Sequence, residues 1–160
     1  MATRTTPSAN DRDAPRNPRG QQPSRAGLAA GDRNLVRLSP EECFSLVEAG
    51  GVGRVGFASA DGIEILPVNF AVEHKRVIFR TAPDTLLAAY AHAPVSFETD
   101  HLDPENHQGW SVLIQGHAHK ISGEQEIARL EHDTSLVPWA AGARDVWVRI
   151  TPTRISGRRV

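Results

Sequence analysis

Three short segments carry residues able to grip a ligand: Leu66-Pro67-Val68-Asn69-Phe70, Val77 through Thr85, and Gly109-Trp110-Ser111-Val112. In each, a β-type run ends in, or is interrupted by, side chains that form hydrogen bonds. In the middle segment an apolar strand runs into Arg80 and Thr81, Ala82-Pro83 turns the chain, and Asp84 can cap the helix that follows. A cation, a hydroxyl and a helix N-terminus then converge on one point. Free N–H groups at a helix start, together with the macrodipole, favour an anion there, such as the phosphate of a nucleotide-like cofactor. On residue type alone, Arg80 serves equally well as decoration of an exposed strand. Trp110 is either core or a flat wall against an aromatic ring. Asn69 either fills a bulge or reads the polar edge of a ring with its amide.

Other chemistries find less support. Among seven histidines, His117 and His119 share one strand face, and His101 and His107 accompany Asp100, Asp103 and Glu105 in a polar loop. Two strand histidines and a carboxylate suit a divalent metal. No HExxH-type spacing appears, so these read as structural or surface groups and no metal site is expected. A GxSxG elbow and a Walker loop are both missing, and Gly51-Val52-Gly53 with Gly56 precedes a strand, the wrong context for a dinucleotide fingerprint. The single cysteine, Cys43, excludes an internal disulfide and any zinc site built from several thiolates. It falls in a helix beside Phe44 and reads as a buried, inert thiol. No catalytic side chain stands out.

The elements that must position these residues are mostly strands. Ser39-Pro40-Glu41-Glu42 is a capping box with proline at the first helical position, and Gly50-Gly51 ends that helix. Strands are expected at 54–58, at 63–72 with Pro67 marking an edge or a bulge, at 76–81, at 94–99, at 110–121 and at 146–150. Helices are expected at 84–92 and 124–137, a polar loop at 100–108, and a short extended tail from Pro152 to Val160. Six strands joined mainly by hairpins predict a mainly β, α+β domain: a six-stranded antiparallel barrel with short flanking helices.

The chain has 160 residues, enough for one domain with a core, and a formal net charge of -1. That balance points to neither nucleic acid nor an anionic membrane as partner. Residues 1–34 hold six arginines against three acids and almost no large apolar side chain, so a disordered Arg/Pro-rich tail is expected, with the folded domain at 35–160. No apolar run approaches the ~20 residues needed to span a bilayer, and the N-terminus does not read as a signal peptide. A cytoplasmic location is expected.

Taken together, these segments resemble the FMN-binding split-barrel proteins of the pyridoxamine 5′-phosphate oxidase-like superfamily, in particular its small actinobacterial type. The resemblance rests on Gly53-Arg54-Val55-Gly56-Phe57, Pro67 to Phe70, Phe79 to Thr85, Phe97-Glu98-Thr99-Asp100, Gly109 to Val112, and Ile150 to Arg158, in that order. It implies a split barrel that pairs into a homodimer with two FMN sites at the interface. It places Pro67, Val68 and Asn69 along the isoalloxazine, and Arg80, Thr81 and Thr85 at the ribityl phosphate. Trp110 and Ser111 close the site. It further implies a flavin-dependent oxidoreductase acting on a small molecule. Members that bind a 5-deazaflavin or haem also exist, as do readings in which the protein only sequesters or senses its ligand. Relatives usually carry lysine where this chain has Leu86, which weakens the phosphate site. The substrate-binding Arg and His pattern of the true oxidases is not evident near the C-terminus, and a fold does not fix a reaction.

Overall fold

Alternation of period two runs through nearly every strand and gives each an inner and an outer face. The computed structural model describes residues 35–160; the expected disordered tail, 1–34, lies outside the described residues. The elements are β1 (Val36–Leu38), α1 (Pro40–Val47), β2 (Gly51–Ser59), β3 (Gly62–Glu73), β4 (Arg76–Thr81), α2 (Leu86–Ala89), β5 (Pro94–Asp103), β6 (Gln108–Ile121), α3 (Glu124–Asp133) and β7 (Val146–Arg159).

All pairings are antiparallel. The strand order is β1-β7-β4-β3-β2-β5-β6, and β6 pairs back onto β7. Six strands thus close a barrel, and β1 adds a short seventh strand outside the ring. The barrel is split because β7 leaves β4 after Ile150 and runs on to Arg159, where β1 takes the vacated side.

The inner faces meet in a core that includes Val55, Phe57, Phe70, Phe79, Phe97, Ile114 and Val148, joined by Cys43 and Val47 of α1. Ser39 caps α1 reciprocally with Glu42, as the capping box predicts. Burial pushes the Cys43 thiol up, with Glu42 adding to it, so the thiolate is disfavoured. A second, smaller core lies on the outer face. There Ile78, Ile121 and Trp147 are covered by Leu130 of α3 and by Leu136. Ion pairs Arg129–Glu73 and Arg149–Glu126 fasten α3 over it.

Several boundaries differ from those expected. The tail from Pro152 is not separate: it continues β7, carried through Pro152 by pairing with β6. β1 was not expected, because three residues with polar neighbours carry too little periodicity. The helix expected at 84–92 contracts to four residues, and its N-cap is Thr85 rather than Asp84; the Thr85 hydroxyl accepts from the Ala88 N–H. The expected loop at 100–108 is mostly strand. Asp103 accepts from the N–H groups of Glu105 and Asn106, and this tight turn lets β5 and β6 pair to their tips. α3 stops at Asp133, where Thr134 caps Leu130. Pro67 does lie on an edge: β3 pairs with β4 only from Phe70 to Glu73, which leaves Pro67 with β2 alone. Among the described residues no helix is long and apolar enough to cross a membrane.

Barrel closure passes through a bulge between Gln115 and Gly116, where the register against β7 jumps from Arg154 to Pro152. A Cβ added at Gly116 would run into the carbonyl oxygen of Thr151 and crowd Pro152. Both obstacles are backbone and cannot swing aside. Gly116→Ala is therefore expected to destabilise the domain by about 1–3 kcal/mol, read as a lowered denaturation midpoint.

Candidate functional site

Adjacent residues of a strand face opposite ways, and this sorts the candidate ligand residues into two sets. Val68 and Thr81 point inward and are buried. Pro67, Asn69, Arg80 and Ser111 lie on the outer face. Val68 can therefore offer a ligand only its backbone.

The register places the outer set in one belt round the barrel. Asn69 pairs with Val52, Asp100 with Ser111, and Ser111 with Arg158. Arg80 lies one step beyond the Phe70–Phe79 pair, next to Asn69. Charges cluster along this belt. Arg54 Nη1 lies 3.2 Å from Glu98 Oε2 and 3.7 Å from Asp100 Oδ1. Burial, and then Asp100 beside it, push the Glu98 carboxyl up, while Arg54 pulls the other way. Arg158 Nε donates to Ser111 Oγ at 3.3 Å. From Arg80 to Ser111 the belt crosses four strand-to-strand steps, about 19 Å of curved sheet surface.

At one end of the belt two polar groups are held by the segment 134–145, which connects α3 to β7. Asn69 Oδ1 accepts from the Trp139 backbone N–H at 2.9 Å. Arg80 Nε donates to the Arg144 carbonyl at 2.7 Å, and Arg80 Nη2 lies 3.7 Å from Asp145 Oδ1. The Arg80 guanidinium sits 5.0 Å over the ring of Trp147, and its side chain keeps 23% exposure. That contact is a cation–π interaction on a fixed indole.

The threonines behave differently from the sequence expectation. The hydroxyls of Thr81 and Thr85 lie 2.7 Å apart, and Thr85 donates to the Ala82 carbonyl at 2.8 Å. Thr85 has one proton, so Thr81 must donate to Thr85. Both protons are spent inside the turn. A four-residue helix also brings little macrodipole, so anion binding at this turn rests on Arg80. Leu86 is 47% exposed and supplies no charge.

Trp110 is separated from Ser111 by the same alternation. It packs against the inner core and stacks on His101 at 6.4 Å. With Asp103, Gln108, Arg159 and Val160 it lines a shallow depression of about 200 Å³ at one end of the barrel. The chain thus gathers Asn69 and Arg80 but not Trp110 or Ser111. His117 and His119 share the outer, exposed side of β6, as strand spacing predicts. Among the described residues no three metal-ligating side chains gather.

A flavin presents a flat ring, acceptor atoms along one edge and a phosphate. The outer face offers apolar Val52, Ile63, Ile65 and Pro67 beside the belt. The donors with spare capacity near Asn69 are its own Nδ2 and the terminal nitrogens of Arg80, with the exposed Asp145 carboxylate as an acceptor beside them. That donor set fits an acceptor-rich ligand. Sequence reasoning passed over Trp139, Arg144, Asp145 and Trp147. One signal was there: Trp139 is a large aromatic in a loop otherwise made of small residues.

Known proteins share this fold and sequence. An uncharacterized Mycobacterium tuberculosis protein, Rv0080, is 34% identical over 143 residues, 86% of this chain and 93% of its own. The FAD binding protein of Mycobacterium smegmatis is 35% identical, with a TM-score of 0.64 over 77% of this chain and 96% of that one. A proposed pyridoxamine 5′-phosphate oxidase of Corynebacterium glutamicum is 29% identical, with a TM-score of 0.69 over 81% and 95%. The family model for pyridoxamine 5′-phosphate oxidase matches residues 39–159, and the chain belongs to that family.

Proposed function

We propose that this chain binds a flavin on the outer face of the barrel, beside Asn69 and Arg80, and serves as an FMN-dependent oxidoreductase of a small molecule. The observation that carries this reading is the pair of donors Asn69 Nδ2 and Arg80, neighbours on the outer face, beside exposed apolar Val52 and Pro67. A relative at 35% identity that binds FAD supports it. Bound flavin would supply hydride or electron transfer. This chain's residues bind and orient it: Asn69 donates to the acceptor edge of the ring, and Arg80 pairs with the phosphate. Pro67 and Val52 exclude water from one ring face.

The second half of the site comes, in this proposal, from a second copy. Ile63 is 75% and Ile65 64% exposed on one face of β3, an apolar surface that calls for cover. A two-fold pairing over that face would bring Ser111 and Arg158 of one protomer towards Asn69 and Arg80 of the other. Light scattering at micromolar concentration should give twice the chain mass, and Ile65→Lys should shift it to one chain mass. A wild-type monomer would remove the composite site.

Arg80→Ala should weaken FMN roughly tenfold to a hundredfold, the range of a lost charge-assisted bond, while riboflavin, which has no phosphate, moves far less. Leu86→Lys should tighten FMN and leave riboflavin alone. Unchanged FMN titrations for both variants would move the phosphate elsewhere. The absorbance of the isolated protein separates the alternatives: flavin bands support this reading, a Soret band supports haem, and uptake of a 5-deazaflavin alone supports a deazaflavin-dependent reductase.

A further inference from the structure

The segment from Val137 to Asp145 is held almost wholly by polar contacts. Leu136 and Val146 are buried at its two ends, and no residue between them is. Arg144 gathers the segment on itself, donating from Nε to the Ala140 carbonyl at 3.3 Å. Gly142, at φ +94°, makes the turn that this needs. Outward contacts go to the two groups assigned above to the ligand. The Trp139 N–H takes Asn69 Oδ1, and the Arg144 carbonyl takes Arg80 Nε. Trp139 itself is 79% exposed.

An amide side chain can flip, and flipped it would present an acceptor where a donor is needed. With Oδ1 held by Trp139, the two Nδ2 protons of Asn69 are the ones left for a partner. The Arg80 guanidinium is likewise held at Nε and stacked on Trp147, and its Nη2 lies 3.7 Å from the exposed Asp145 carboxylate, so an anion that displaces Asp145 meets a group already in place. Pre-set groups lose less entropy on binding. The exposed Trp139 indole is carried by a backbone in hydrogen-bond contact with Asn69. A rotation of that exposed side chain can bring the indole towards a ring bound at Asn69.

We propose that the Val137–Asp145 strap is part of the ligand site: the Trp139 N–H sets the Asn69 amide donor-outward, and the Trp139 indole covers the ring of the bound aromatic ligand. Trp139 is thus both a positioning residue and a ring contact. The inference rests on the flavin reading of the belt.

The test uses the full chain in two arms. Without ligand, amide hydrogen exchange at Trp139 should be slow in the wild type. It should stay slow in Asn69→Asp, which keeps the acceptor, and become fast in Asn69→Ala, which removes it. With ligand, FMN and riboflavin are titrated by quenching of flavin fluorescence. Both should weaken roughly tenfold in Trp139→Ala, while Trp139→Phe recovers most of the loss because it restores an aromatic face. Asn69→Asp should weaken both flavins even though its strap contact survives. If the wild type binds flavin but Trp139→Ala binds it equally well, or if Trp139 exchange ignores Asn69→Ala, the strap inference is overturned and the flavin reading stands. If the wild type binds neither flavin, the flavin reading fails, and the strap inference with it.

Discussion

Closure of the sheet by β6 against β7 decides where every other side chain goes. The pairing runs from Trp110 opposite Arg159 to Ile121 opposite Trp147. With it in place the six strands form a ring, in which β3 before Phe70 stays an edge and β1 covers the one that β7 leaves beyond β4. Alternation then assigns each residue to the inside or the outside, and a slip of one position would reverse that assignment. Gly157 shows how tightly the register is held. A Cβ there would fall 2.7 Å from Cys43 Sγ, so only glycine fits between β7 and α1, and its neighbour Arg158 must face outward to Ser111.

The same alternation explains what could be read from the sequence and what could not. Strand positions were legible because Val77, Phe79 and Thr81, or Val95, Phe97 and Thr99, sit at period two with buried partners. The capping box of α1 was legible because it is local. β1 escaped because its stability comes from Gly157–Arg159, more than a hundred residues away in sequence. α2 was overestimated because Leu86, Leu87 and Tyr90 fit a helical spacing, while the chain turns into β5 after one turn of helix. Asp84 and Thr85 are both good caps by type, and the choice falls to Thr85 because its hydroxyl also closes on Thr81. Which of two neighbours faces a ligand is also not written in a motif. Trp110-Ser111 and Arg80-Thr81 each read as a pair, but a strand sends their members to opposite sides.

The belt on the outer face joins the fold to its chemistry. The barrel interior is filled by aromatic and branched side chains, which leaves the outer face as the surface that the polar candidate residues share. An outer face of a small sheet is normally polar. Here Val52, Ile63, Ile65 and Pro67 interrupt a surface that also carries Arg54, Glu98 and Asp100. That mixture suits a surface that is covered part of the time by something flat and partly apolar.

Trp147 belongs to two neighbourhoods at once. It is buried in the outer core under α3, and its ring carries the Arg80 guanidinium. The cation therefore rests on a cushion whose shape is set by Leu130 and Ile127 of α3. Drift in that helix would tilt the indole and move the charge above it by fractions of an ångström. Members of one lineage could then come to differ in where this charge stands while Arg80 and Trp147 themselves stay the same.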